Sequence, residues 1–365
     1  MPFVDREGAR LYWRIDGHPE RPVLVLLNSL GTDHSLWDPV MAGLLRRHRV
    51  LRTDKPGHGA SSARPGEYTI GQLGGDVLAV MDAAGVRRAH LCGVSIGAMI
   101  GMWLAANAPE RIDRLVLSNT SAKLAPEGFV ERIRVIREGG IAAIADTILG
   151  RFFTPGFVAQ ADERYHSVRT TLLQVDPAGY IGCCAALRDM DLRPLLARIA
   201  APTLVLTCRD DQSTPAAMGE AIAAAIPGAK HVQWTLAHIP FVEAPDRYVE
   251  LLGAFLEDGG AGRGLDRPGP GAPGSAGRRP IDAGRGRPTC RGGMCLLRKG
   301  ISAAAAPAGV SIAPWNIYCR SRRPSSSRTS PTRCSSTAAA TPNISSSVTR
   351  WARCTCRGAT RPTGT

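Results

Sequence analysis

Short apolar runs recur along the chain, and stretches with helical spacing separate them. "PVLVLLN" (22–28), "RVLRTD" (49–54), "RAHLCGV" (88–94), "RLVLSN" (114–119), "PTLVLTCRDD" (202–211) and "AKHVQWTLAH" (229–238) have the length and β-branched or leucine content of buried strands. Between and after them, "TIGQLGGDVLAVMDAAGV" (69–86), "IGAMIGMWLAANAP" (96–109) and "DRYVELLGAFLED" (246–258) repeat apolar residues at the helical period. Strands that alternate with helices imply an α/β fold, with a mostly parallel sheet covered by helices on both faces. The stretch from about 121 to 197 breaks the alternation. It reads as three helical segments, "FVERIRVIREGGIAAIADTIL", "VAQADERYHSVRTTLLQV" and "PAGYIGCCAALRDM". A helical insertion between sheet strands is a natural cap over an active site.

The pattern stops at Asp258. Residues 259–365 hold 18 Lys and Arg against two acids, whereas 1–258 hold 27 basic and 29 acidic residues. The net charge of +14 therefore belongs to the tail and says nothing about the partners of the body. The tail is rich in Arg, Pro, Gly, Ser and Ala. It has too few large apolar residues to offset its chain entropy, so it is expected to be disordered. Its basic charge could bind nucleic acid non-specifically. With only Trp315, Tyr318 and Trp351 as large aromatics, no dedicated nucleic-acid partner is expected. Residues 1–258 are enough to build a core, and they form one expected domain.

The N-terminal "MPFVDREGAR" lacks the apolar stretch of a secretory signal, and "VLVLL" is too short to span a membrane. Cys92, Cys183, Cys184 and Cys208 have no disulfide or zinc spacing, which fits a reduced, cytoplasmic setting.

The chemistry concentrates at the ends of the strands. In an open parallel sheet, ligands bind beyond the carboxyl ends of the strands. Ser95 in "CGVSIGAM" stands there, between a strand and a helix of small residues. Gly-x-Ser-x-Gly is a weak signal alone. Between a strand and a helix it marks a turn whose glycines allow close backbone approach and whose serine is exposed as a nucleophile. A serine that merely caps the helix is the competing reading. A serine hydroxyl needs a histidine to take its proton, and His238 follows the last strand. The imidazolium needs a carboxylate. "CRDDQSTP" offers Asp211, with Asp210 as the alternative. The order Ser95, Asp211, His238 is that of one fold class. The oxyanion would be held by the backbone N–H groups of Ile96 and of Leu30 in "NSLG". Asp54 and His58 in "RTDKPGHGASS" read as structural, with Gly57 and Gly59 forming a tight loop.

Together these residues resemble the α/β-hydrolase superfamily. The finer resemblance is to its 3-oxoadipate enol-lactonases, through "LLNSLGTDHSLWDP", "VLRTDKPGHGASS", "LCGVSIGAMIGMWLAANAPERIDRLVLSNTSAK", "DPAGYIGCCAALRDMDLR" and "AHIPFVEAPDRY". Cys208 stands where that family tends to place Gly, and Phe129 near a common Trp. The resemblance implies a small anionic lactone as substrate, an acyl-enzyme on Ser95 and no cofactor. An anion in a capped pocket needs a cation. The cap supplies Arg132, Arg134 and Arg188, of which Arg132 and Arg188 lie in stretches that match the family. The alternatives are a carboxylesterase, a carbon–carbon bond hydrolase or a perhydrolase on the same fold. A ligand sensor with weak turnover is a fourth.

Overall fold

The structure, a computed structural model, describes residues 2–160 and 162–257, and the 259–365 segment lies outside the described residues. Eight strands form one sheet. They are β1 (Phe3–Arg6), β2 (Ala9–Asp16), β3 (Val23–Leu27), β4 (Arg49–Thr53), β5 (Ala89–Val94), β6 (Ile112–Ser118), β7 (Thr203–Cys208) and β8 (Lys230–Trp234). Their order is β1-β2-β4-β3-β5-β6-β7-β8. The pairs from β4 through β8 are parallel, in registers such as Val25 with Leu51, Leu26 with Cys92 and Val116 with Leu204. The leucine-rich runs β3 and β7 are buried on both faces, as a covered parallel sheet requires.

The antiparallel edge is an element that the sequence reading did not include. β1 and β2 pair through a two-residue turn at Glu7 and Gly8, both with positive φ (47° and 79°). That is the turn geometry whose twist matches a hairpin.

Helices cover both faces. In chain order they are α1 (Asp38–Leu44), α2 (Ile70–Ala83), α3 (Ile96–Asn107), α4 (Glu127–Gly139), α5 (Ala142–Phe152), α6 (Pro155–Ala159), α7 (Glu163–Leu173), α8 (Pro177–Asp189), α9 (Ala216–Ala225), α10 (Pro240–Glu243) and α11 (Pro245–Glu257). α2 begins with a reciprocal cap. Gln72 N donates to Thr69 Oγ1 at 3.1 Å, and Thr69 N donates to Gln72 Oε1 at 3.0 Å.

Helices α4–α8 lie between β6 and β7. "FVERIRVIREGGIAAIADTIL", expected as one helix, is two. Gly140 takes φ 67° and ends α4, which no side chain other than glycine does cheaply. "VAQADERYHSVRTTLLQV" also divides, because Asp162 caps a new start by accepting from Arg164 N at 2.8 Å.

Beside β3, Trp37 stacks on Phe241 with ring centroids 4.0 Å apart. Its indole N–H donates to Asn28 Oδ1 at 2.9 Å, which ties the loop after β3 to the body of the domain. Among the described residues no helix is long and apolar enough to cross a membrane.

Candidate active site

Ser95 occupies the sharp turn from β5 into α3. Its backbone is strained, at φ 57° and ψ −123°, a region that L-residues other than glycine seldom enter. The turn holds because its backbone is fixed from both sides. Ser95 N donates to the Ser118 and Asn119 carbonyls at 3.1 Å each, and the Ser95 carbonyl accepts from Thr120 Oγ1 at 2.9 Å. Close approach explains the flanking glycines. A Cβ on Gly93 would collide with the Gly97 carbonyl group, and one on Gly97 with the Leu27 carbonyl. The Ser95 side chain makes no capping hydrogen bond to α3, so its hydroxyl is not committed to the helix.

His238 follows β8 and is 1% exposed. Its Nδ1 lies 2.8 Å from Asp211 Oδ2, and its ring stacks on Phe152 with centroids 5.5 Å apart. The loop that carries it is tied to the end of β6, since Asn119 Nδ2 donates to the Ala237 and His238 carbonyls at 3.0 and 2.9 Å.

Asp211 follows β7 and is 4% exposed. Its carboxylate also accepts from Ser213 N, Thr214 N and Thr214 Oγ1 at 2.7, 3.1 and 2.7 Å. Burial alone would raise this carboxyl. The charge and hydrogen bond of His238, together with Thr214, hold it below the usual carboxylate range. Asp210 points elsewhere, with a side chain 47% exposed and 3.8 Å from Arg209. Of the two acids, only Asp211 meets His238.

Ser95, His238 and Leu30 line one pocket beneath the helical insertion. Ile96, the first residue of α3, places its backbone N–H at the helix N-terminus beside Ser95. A serine hydroxyl and an imidazole backed by a buried carboxylate at one cavity, with a helix N-terminus beside the serine, are parts that acyl transfer requires.

A family model described as the alpha/beta hydrolase fold matches residues 22–245. This chain belongs to the α/β-hydrolase family. Among its relatives, 3-oxoadipate enol-lactonase 2 of Acinetobacter baylyi is 36% identical over 252 residues, covering 69% of this chain and 94% of that protein. The crystal structure of the enol-lactonase from Burkholderia xenovorans LB400 matches with a TM-score of 0.69 at 39% identity, over 70% of this chain and 100% of the other. That of a hydrolase from Pseudomonas aeruginosa PA01 matches with a TM-score of 0.68 at 43% identity, over 70% and 98%. The sequence resemblance to the α/β hydrolases and their enol-lactonases is thus borne out.

The insertion of this α/β hydrolase brings two arginines to the Ser95 pocket, Arg132 from α4 and Arg151 from the last turn of α5. Arg132 lies over the Phe129 ring, 5.2 Å from its centroid, beside the buried Tyr180. Neither arginine forms an ion pair among the described residues.

Arg188, expected at the site, is not among the residues that line this pocket. It pairs with Glu67 at 2.8 Å and Asp189 at 2.6 Å, so its charge is already matched by two carboxylates. Arg134 is likewise taken by Glu131 and Glu138. Arg151 carried no motif and was missed; a lone arginine late in a helix has no sequence signal that separates it from a solvated one.

Phe129 also lines the pocket, whereas Cys208 is buried at the end of β7. Cys183 and Cys184 are buried too, and burial pushes both thiols up to about 12, which leaves them as packing groups. Asp54 does hold its own loop, accepting from Ala60 N at 3.1 Å, and ties it to the segment after β3 by accepting from His34 N at 2.6 Å.

Proposed function

We propose that this hydrolase opens the enol-lactone of 3-oxoadipate. Ser95 attacks the lactone carbonyl while His238 takes its proton and Asp211 stabilises the resulting imidazolium. The backbone N–H groups of Leu30 and Ile96 hold the tetrahedral oxyanion. Its collapse breaks the ring C–O bond, and the enolate oxygen leaves with the proton from His238. The enol becomes a ketone, and the acyl group stays on Ser95. Water, deprotonated by His238, then releases the acid, and Ser95 regains its proton.

One observation carries the substrate class. Arg132 and Arg151 line the pocket of the nucleophile with no carboxylate paired to either among the described residues. A neutral ester gives two such cations nothing to bind, whereas a lactone with a carboxylate side chain does. The enol-lactonases among the relatives point to the same chemistry.

The test compares 3-oxoadipate enol-lactone with α-angelica lactone, the same unsaturated ring bearing a methyl group in place of the carboxymethyl. A hydrogen bond to a charged group is worth about 1.5–3 kcal/mol, so Arg132→Ala and Arg151→Ala should raise KM for the anionic lactone about 10- to 100-fold. Hydrolysis of α-angelica lactone should stay within about 2-fold, because a uniform binding contact absent from that substrate cannot be lost. Equal impairment on both lactones would indicate cap packing and return the enzyme to the broader carboxylesterase class.

A further inference from the structure

We infer that Lys55 is a positioning residue for the oxyanion donor at Leu30, acting through the Ser29–Leu30 peptide. Lys55 follows β4 and is 8% exposed. Its Nζ donates to the carbonyls of Ser29 at 2.9 Å, Asn28 at 3.3 Å and Thr32 at 3.5 Å. No carboxylate forms an ion pair with it among the described residues, and burial pushes its ammonium down to about 8. A buried charge without an ionic partner is costly, and an apolar side chain of the same length would fill the space more cheaply. What the ammonium adds is a grip on three carbonyls of one short loop.

That loop runs from Asn28 to Thr32 and carries Leu30. All described peptide bonds are trans. In a trans peptide the C=O and the N–H point in opposite directions. Drawing the Ser29 carbonyl toward Lys55 on one side therefore turns the Leu30 N–H to the other, and Leu30 lines the Ser95 pocket. Thr32 Oγ1 adds a second hold on the Ser29 carbonyl at 2.8 Å.

The next amide along is removed from contention. Gly31 N donates to His58 Nε2 at 3.2 Å, and His58 Nδ1 lies 3.0 Å from the Pro56 carbonyl. The ring therefore carries its proton on Nδ1, and burial, foremost, lowers its pKa to about 3, which keeps it neutral. Gly31 is committed to His58, so of these two amides it is the Leu30 N–H, opposite the carbonyl that Lys55 holds, that is left for the pocket.

This inference rests on the serine acyl-transfer reading but not on the identity of the lactone. Its test can therefore use a neutral ester, p-nitrophenyl acetate, and a boronic acid that forms a tetrahedral adduct with a serine. The variants are Lys55→Met, which removes the donors, and Lys55→Gln, which keeps two N–H bonds without burying a charge. Losing an oxyanion donor outright costs about 10²–10³ in kcat. Because Thr32 still holds the Ser29 carbonyl, Lys55→Met should lower kcat about 10- to 100-fold per titrated active site, with KM within about 3-fold. Affinity for benzeneboronic acid should fall by a similar factor, and Lys55→Gln should recover part of both.

Wild-type kcat and boronate affinity in folded Lys55→Met would overturn the inference. So would a loss that only tracks the folded fraction, with kcat per titrated site unchanged. If Lys55→Met does not fold, Lys55→Gln decides alone: its side chain is one atom shorter, with two donors for three carbonyls, so reduced kcat and boronate affinity at constant KM support the role, and wild-type values refute it. Failure of the acyl-transfer reading itself would look different, because the wild-type protein would then neither cleave the ester nor bind the boronate.

Discussion

Ser95→Ala should lower kcat/KM for any ester or lactone that the enzyme accepts by about 10⁴–10⁶-fold, with the fold intact. Serine and alanine both carry a Cβ and meet the same steric cost at φ 57°, so the strained turn gains no new penalty. The hydroxyl caps nothing in α3, so its removal leaves no orphaned helix donor. On the proposed mechanism the loss is chemical: the pocket keeps its arginines and the proposed backbone donors but has no atom to attack the carbonyl. Circular dichroism and thermal melting should match the wild type while turnover disappears. Activity within tenfold of wild type in such a folded variant would remove Ser95 from the mechanism.

The second large effect separates two adjacent acids. Asp211→Asn should cost about 10³–10⁴ in kcat, because an amide opposite Nδ1 favours the wrong tautomer of His238 and leaves its positive form without a countercharge. Asp210→Asn should stay within about 2-fold, since that side chain is half exposed and lies toward Arg209.

Stability should respond to pH in a defined direction. The Asp211 carboxyl is held below its unfolded value, so its ionised form stabilises the fold above roughly pH 4. That contribution is lost as pH falls through the lower folded value. Asp211→Asn should therefore weaken the acid dependence of the melting temperature. A large kinetic defect in Asp210→Asn with a silent Asp211→Asn would reverse the assignment.

Strands β3 to β8, helices α2, α3 and α11 and the loops at the strand ends were legible because each has a local cause. Alternation of apolar runs with helical spacing defines the layers, and Ser95, Asp211 and His238 follow β5, β7 and β8, beyond the carboxyl ends where such a sheet binds its ligands. Side-chain direction within the insertion was not legible. Arg188 pairs instead with Glu67, which stands 121 residues from it in the chain and meets it across the fold. The break at Gly140 was hidden because the apolar spacing continues on both sides of it. β1 and β2 were hidden because arginines and acids interrupt their apolar residues in a half-buried edge. Lys55 stands in a loop of Pro and Gly, where a lysine ordinarily reaches solvent, and only the return of residues 28–32 over it makes it a buried donor.

Rapid-quench mass spectrometry of the intact wild-type protein mixed with 3-oxoadipate enol-lactone tests the acyl-enzyme directly. Ring opening sheds no leaving group, so the protein should gain the full mass of the lactone in the first turnover. Proteolysis should place that mass on the peptide containing Ser95, and the adduct should decay at the rate at which 3-oxoadipate appears. Hydrolysis of the lactone at full rate with no adduct on Ser95, or no hydrolysis of the lactone at all, would contradict the proposed reaction.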